Sequence, residues 1–241
     1  VIPTFIAAVR TLATLVGVAL YVLLVAPPAL LWTVISRDPR ALYMAGGAGV
    51  RLGLALSGIR VAITGAEHIQ TNGPAVYAAN HASNIEPPAL FHALRPLYPH
   101  VAVLYKAELR RLPLMVWVFD AAGFVPIERA NPGQSLPAVD RATDALKAGK
   151  SFMIFPEGTR SRTGALLPFK KGGFIMAIGA QVPVVPVTIT GARAAMRKGS
   201  PLLWPATVSV AFDAPIPTAG LTFAQRDEVI RAVRAAIDAR L

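Results

Sequence analysis

The 241-residue sequence has no cysteine, which excludes disulfides, zinc-thiolate sites and a cysteine nucleophile; nucleophilic chemistry must use oxygen or nitrogen. Acidic residues are scarce as well. Against 24 Lys and Arg stand 13 Asp and Glu, and the net charge of +11 favours an anionic partner: phospholipid headgroups, a phosphorylated substrate or nucleic acid. Aromatic residues make up only 7% and no recognition module accompanies the basic ones, which argues against nucleic acid. No glycine-rich segment carries the Lys-Ser or Lys-Thr of a phosphate-binding loop, and neither a metal nor a nucleotide cofactor is indicated. What the chain has in excess is apolar surface, with a mean hydropathy of +0.51.

That excess is concentrated at the start. From Thr11 to Ser36 there is no charged residue, and at about 1.5 Å per residue such a helix could cross a hydrocarbon core of about 30 Å. Pro27 and Pro28 each remove an N–H and introduce ring clashes, so a re-entrant or in-plane hairpin competes with a straight span. A second apolar stretch, Ala41 to Ile59, carries Arg51 alone and includes Gly46, Gly47, Gly49 and Gly53, which would let helices approach closely. The expectation is a two-helix membrane anchor over residues 1–57 and one catalytic domain over residues 58–241. A signal peptide fits poorly, because the run is too long and Arg37, Asp38, Pro39 and Arg40 do not resemble a cleavage site.

Beyond residue 58 short β-branched runs alternate with helix-compatible segments. The runs are "IRVAIT" (59–64), "PAVYAAN" (74–80), "VAVLY" (101–105), "FVPI" (124–127), "SFMIF" (151–155), "PVVPVTIT" (183–190) and "TVSVAF" (207–212). They predict an α/β fold with a mixed, largely parallel central sheet flanked by helices. Ser135 can cap a helix that presents Leu136, Val139, Ala142 and Leu146 on one face. Thr222 and Gln225 form a capping box ahead of a C-terminal helix with Val229, Ile230, Val233 and Ile237 on one stripe.

Four stretches carry candidate chemistry. In "NHASNIE" (80–86), His81 and Glu86 are five residues apart, which on a regular helix would separate them by about 140°. Pro87 suits the first helical position and disfavours helical geometry at Glu86, so the helix begins at Pro87 and residues 82–86 form a turn that can fold the carboxylate back to the imidazole. The pair then has the parts of a general base. The alternative is that Asn80, Ser83 and Asn84 cap a helix while His81 merely packs; Ser83 reads as a turn residue rather than a nucleophile. In "GFVPIER" (123–129), Arg129 at a strand end is either a solvated edge charge or an anion grip. In "FPEGTRS" (155–161), a strand runs into Glu157, Gly158, Thr159 and Arg160, where backbone amides and a guanidinium could hold phosphate. The prolines of "VPVVPV" (182–187) suit a strand end or edge.

In this order the blocks resemble the glycerolipid acyltransferase family of the lysophosphatidic acid acyltransferase type, whose signature is NH-x4-D, G-x-x-x-I-x-R, F-P-E-G-T-R-S and V-P-x-x-P-V. The resemblance covers about residues 58–213, and the third block matches throughout. One departure is Glu86, where the family has aspartate, one methylene shorter.

The resemblance implies transfer of an acyl group from acyl-CoA or acyl-carrier protein to the sn-2 hydroxyl of 1-acyl-glycerol-3-phosphate, giving phosphatidic acid without a covalent acyl-enzyme. His81 would be the base and Glu86 its orienter. Arg129, Glu157, Gly158, Thr159 and Arg160 would bind the glycerol-phosphate, with Lys106 a further phosphate candidate. The implied partners are lysophosphatidic acid and an anionic membrane surface, with the domain at the cytoplasmic face of an inner membrane. Alternatives are another acceptor, such as lyso-ornithine lipid or a headgroup-substituted lysophospholipid, and a non-catalytic binder of anionic lipid.

Overall fold

The computed structural model describes residues 2–111, 113–127 and 132–241. Each β-branched run becomes a strand: β1 (Ile59–Thr64), β2 (Val76–Ala79), β3 (Val101–Lys106), β4 (Val125–Ile127), β5 (Ser151–Ile154), β6 (Val184–Thr190) and β7 (Ala206–Phe212). They form one sheet in the order β1-β7-β6-β2-β5-β3-β4. Every neighbouring pair is parallel except β6 with β7. The five strands from β6 to β4 therefore end along the same edge, where ligands of open α/β sheets commonly bind. This is the mixed, largely parallel sheet expected.

The helices are α1 (Ile2–Ser36), α2 (Arg40–Leu56), α3 (Glu86–Ala93), α4 (Pro113–Ala122), α5 (Pro132–Lys147), α6 (Gly172–Ala180), α7 (Ala192–Ala195) and α8 (Arg226–Asp238). They cover the two faces of the sheet, because successive strand residues point to opposite sides. Tyr77, Ala79 and Met153 join a core with residues of α2 and α3. Val76, Ala78, Phe152 and Ile154 join another with α5, α6 and α8. Val229, Val233 and Ile237 form the buried stripe of α8, and the Thr222 and Gln225 capping box is present, opening a 3-10 turn (Phe223–Gln225) just before it.

Three boundaries differ from the sequence expectation. α3 starts at Glu86, one residue before Pro87, because proline is accepted anywhere in the first turn, where no N–H is needed. α5 starts at Pro132, three residues ahead of Ser135, for the same reason. Pro186 lies in β6, between β7 and β2 and so inside the sheet. Its carbonyl accepts from Asp213 N–H at 3.0 Å, so its ring nitrogen also faces the side where the β7 ladder has just ended, and no ladder donor is lost.

The N-terminal pair divides its roles. α1 is 35 residues, about 52 Å long, and is the one helix among the described residues long and apolar enough to cross a bilayer. Pro27 and Pro28 sit within it without ending it. Its buried residues are mostly small: Ala7, Thr11, Thr14, Ala29 and Thr33. Leu, Ile and Trp side chains such as Leu24, Trp32 and Ile35 point outward. α2 instead has a face in the body. Tyr43 is buried, its hydroxyl donates to Val101 O (2.5 Å) and Ala122 O (3.0 Å), and burial pushes its phenol well above the ordinary range, keeping it a neutral donor. The anchor-like surface is therefore that of α1, while α2 ties it to the sheet.

Candidate active site

β2 delivers His81 to the edge where the parallel strands end. Asn80, just after the strand, locks it there: its side-chain amide donates to Ile189 O (2.9 Å) and accepts from Ile189 N–H (2.7 Å). The chain then turns into α3. Ser83 donates to Met196 O at 2.7 Å and accepts from Ile85 N–H at 3.2 Å, a turn residue with its hydroxyl engaged.

The turn brings the expected pair together. His81 Nδ1 lies 2.8 Å from Glu86 Oε2, and the carboxylate also accepts from Ala82 N–H, at 2.7 and 3.0 Å to its two oxygens. Glu86 is 1% exposed and His81 12%. A buried carboxylate needs such donors, and its place in the first turn of α3 adds the favourable end of the helix dipole. With Nδ1 committed to Glu86, Nε2 is the nitrogen left for a substrate proton. Phe155 packs its ring on the imidazole, centroids 4.4 Å apart, limiting its rotation.

Glu157 takes a different place from the one expected. It is buried, and its two oxygens accept from backbone: His81 N–H at 2.6 Å and Leu167 N–H at 2.9 Å. Ser161 N–H donates to His81 O at 2.6 Å. Both main-chain groups of the histidine are thus held by the 155–161 block, and Glu157 spends its two oxygens on main-chain N–H groups rather than presenting a carboxylate to a ligand. Burial raises its pKa above the ordinary carboxylate range, with the N–H bonds from Leu167 and His81 opposing.

The remaining candidates separate. Gly158 has φ +69°, and its N–H donates to Phe155 O at 3.0 Å, so that amide closes a turn instead of facing outward as a phosphate donor. The Lys170 side chain lies across it; a Cβ there would be 2.7 Å from Lys170 Cε. Thr159 is exposed and Arg160 half-buried beside it. Among the described residues the Arg160 guanidinium makes no hydrogen bond or ion pair. Lys106 ends β3, exposed and 3.0 Å from Glu108. Arg129 lies outside the described residues. Among the described residues no three His, Asp or Glu cluster as a metal site.

The block's loop is held from outside by cations on its carbonyls. Arg193 donates to the carbonyls of Arg162 (2.8 Å) and Thr163, Lys198 to Arg160 O (2.7 Å), and Arg234 to Leu166 O (3.1 Å) and Leu167 O (2.7 Å). Beside Phe155, whose ring packs on His81, opens a largely apolar cleft of about 420 Å³ lined by Leu104, Ile127, Ile154, Phe155, Gly158 and Lys170. Asn80, Phe155 and Ser161 were missed as site-building residues by sequence reasoning; their presence inside the signature blocks was the available signal.

A family model described as Acyltransferase matches residues 60–190. A 1-acyl-sn-glycerol-3-phosphate acyltransferase of Limnanthes douglasii is 35% identical over 177 residues, 73% of this chain and 61% of that protein. The one of Cocos nucifera is 35% identical over 66% of this chain and 50% of that protein. The human 1-acyl-sn-glycerol-3-phosphate acyltransferase alpha is 32% identical over 69% and 58%. The chain thus spans about half to six tenths of the length of these curated relatives. Among solved structures, the 1-acyl-sn-glycerophosphate (LPA) acyltransferase PlsC of Thermotoga maritima superposes with a TM-score of 0.82 at 25% identity, over 97% of this chain and 94% of the other.

Proposed function

Because the chain belongs to the acyltransferase family, we propose that it transfers an acyl group from a thioester, acyl-CoA or acyl-carrier protein, to the sn-2 hydroxyl of 1-acyl-glycerol-3-phosphate, yielding phosphatidic acid. The observation that carries this reading is the buried contact of 2.8 Å between His81 Nδ1 and Glu86, with Nε2 left at the strand edge. Glu86 holds the neutral tautomer with the proton on Nδ1, so Nε2 accepts the proton of the acceptor hydroxyl. The alkoxide oxygen attacks the thioester carbonyl, the C–S bond breaks, and the imidazolium returns the proton to the leaving thiolate. General-base assistance of this kind is worth about 10²–10⁴ in rate.

Arg160 binds the acceptor phosphate, and the family pattern adds Arg129. Glu157 acts one step back, through the main chain of His81. The cleft beside Phe155 accommodates the hydrocarbon of the donor. α1 keeps the edge of the sheet at a membrane surface, where the acceptor resides because each buried CH₂ contributes about 0.8 kcal/mol; the net charge of +11 favours an anionic, cytoplasmic leaflet.

The test is to incubate purified protein in lipid with labelled acyl-CoA or acyl-carrier protein and a panel of lysolipids. Lysophosphatidate should be the preferred acceptor, and His81→Ala should abolish turnover while membrane binding persists. Preference for a phosphate-free lysolipid, such as lyso-ornithine lipid, would defeat the acceptor assignment; no turnover with any acceptor would leave a lipid-binding protein.

A further inference from the structure

The segment that follows β6 is tied down on both sides of Lys198. Because β6 lies beside β2, the chain leaves it next to the turn that carries His81. Gly191, at φ +78° and with a Cβ position only 2.1 Å from Thr207 O, bends the chain into α7. Past α7, Met196 O accepts from Ser83 Oγ at 2.7 Å, two residues after His81. Trp204 N–H closes the loop on Ala195 O at 2.9 Å, and Leu203 N–H donates to Thr11 of α1 at 2.8 Å. Lys198 projects from this frame and donates to Arg160 O at 2.7 Å.

Resting on the function proposed above, we infer that Lys198 is a positioning residue for the acyl transfer, acting on His81 through the peptide unit that joins Arg160 to Ser161. That unit is held at both ends. Its carbonyl accepts from the Lys198 ammonium at 2.7 Å, and its N–H donates to His81 O at 2.6 Å. A trans peptide is planar, with its C=O and N–H pointing opposite ways, so a partner that fixes one end fixes the direction of the other. The bond from Lys198 is charge-assisted and about twice as strong as a neutral one. It also polarises the peptide, and linked hydrogen bonds of this kind strengthen one another by about 10–30%. Ser161 is 2% exposed, so little water competes for its N–H.

The other holds on the histidine show what this one adds. Glu86 and Phe155 fix its ring, and Glu157 takes its N–H. The bond from Ser161 to its carbonyl completes the set, and the aim of Nε2 at an acceptor hydroxyl depends on all of them. Arg193 clamps the same loop without this link. It holds the carbonyls of Arg162 and Thr163, and the N–H that follows the second of these, on Gly164, donates to Ser161 Oγ at 3.0 Å rather than to His81. Among the described residues Lys198 pairs with no carboxylate, so its charge is spent on the Arg160 carbonyl alone.

The test is steady-state kinetics of the full chain in mixed micelles, with lysophosphatidate and acyl-CoA varied in turn. Lys198→Met keeps the reach of the side chain and removes its charge and its donors. kcat should fall about tenfold, within the 10² that a misplacement of about 1 Å can cost, while KM for both substrates stays nearly the same. Lys198→Arg can still donate to Arg160 O and should recover most of the loss. Arg193→Met removes a clamp from the same loop and should lose far less. Melting transitions check the folding of each variant, and Lys198→Gln, a shorter and neutral donor, replaces Lys198→Met if that variant does not fold. Equal losses in the Lys198 and Arg193 variants, or a lowered melting temperature with kcat kept, would show a purely structural clamp and overturn the inference. A loss confined to KM for lysophosphatidate would show a direct grip on its phosphate and overturn it as well. The comparison can be read with whichever lysolipid the unaltered protein acylates, so a failure with lysophosphatidate alone defeats only the acceptor assignment. No turnover with any acceptor defeats the proposed function and this inference together.

Discussion

Glu86→Gln tests the chemistry with little change of shape. The carboxylate is 1% exposed and accepts two kinds of donor, His81 Nδ1–H and Ala82 N–H. An amide of equal size can accept only through its oxygen. With that oxygen at the Oε2 position it still accepts from both His81 Nδ1–H and Ala82 N–H, and its NH₂ takes the Oε1 position, 3.0 Å from Ala82 N. With the amide flipped, its NH₂ faces the imidazole, the proton moves to Nε2 and the ring no longer presents a base to the acceptor. In either case the charge that stabilises the imidazolium is gone. A unit charge about 4 Å from the ring contributes about 4 kcal/mol at an effective dielectric constant of about 20, equivalent to about 10³ in rate at about 1.36 kcal/mol per decade. Loss of the orienting carboxylate in a hydrolytic triad, about 10⁴, gives the upper end of the range. kcat should therefore fall about 10³-fold to 10⁴-fold, with KM for lysophosphatidate nearly unchanged because Glu86 does not reach the acceptor. Initial rates with labelled acceptor at saturating donor measure this. A variant that keeps a tenth or more of kcat, or whose loss is in KM, would refute the orienting role. Glu86→Asp keeps the charge but withdraws it by one methylene from Nδ1 and Ala82 N–H, and should lose less than Gln.

Further outcomes follow from other contacts. Tyr43→Phe removes both hydroxyl bonds; Ala122 O keeps Lys150, so about 1–2 kcal/mol should be lost, read as a lower urea midpoint at constant m. Gly158→Ala places a side chain at φ +69° against Lys170, costing about 1–2 kcal/mol and lowering kcat through the displaced loop. Arg234→Ala frees the carbonyls of Leu166 and Leu167; acceptor KM should rise severalfold, with only partial rescue by lysine, which cannot span both carbonyls. For Glu157 burial raises the folded pKa above the unfolded value, so the native state binds the extra proton and stability falls as pH rises through the window between them. Glu157→Gln should remove that slope from unfolding free energies measured against pH, and should reduce kcat by freeing the His81 main chain.

The strands were legible because the β-branched runs of a sheet covered on both faces need little context. The His81 and Glu86 pair was legible because a proline-marked helix start sits between a short turn and α3. Less visible were bonds between distant segments. Glu157 looked like a ligand-facing carboxylate until its oxygens were placed on His81 N–H, 76 residues away. Asn80 looked like a cap until its amide was found on Ile189, 109 residues away. α2 looked like a second membrane helix, since apolar content does not distinguish a lipid-facing surface from one packed on Tyr98 and the ends of β3 and α4.

The sequence by itself determined what depends on neighbours in the chain: seven strands, the capped C-terminal helix, the apolar first helix, and a turn after His81 that can fold Glu86 back to it. The tertiary structure alone decided the sheet order that lets Pro186 sit inside the sheet, the anchoring of Leu203 N–H on Thr11 across 192 residues, and the apolar cleft beside Phe155. Local pattern is set by side-chain periodicity and backbone sterics, whereas these features depend on which buried polar groups and apolar faces find each other when the whole chain closes.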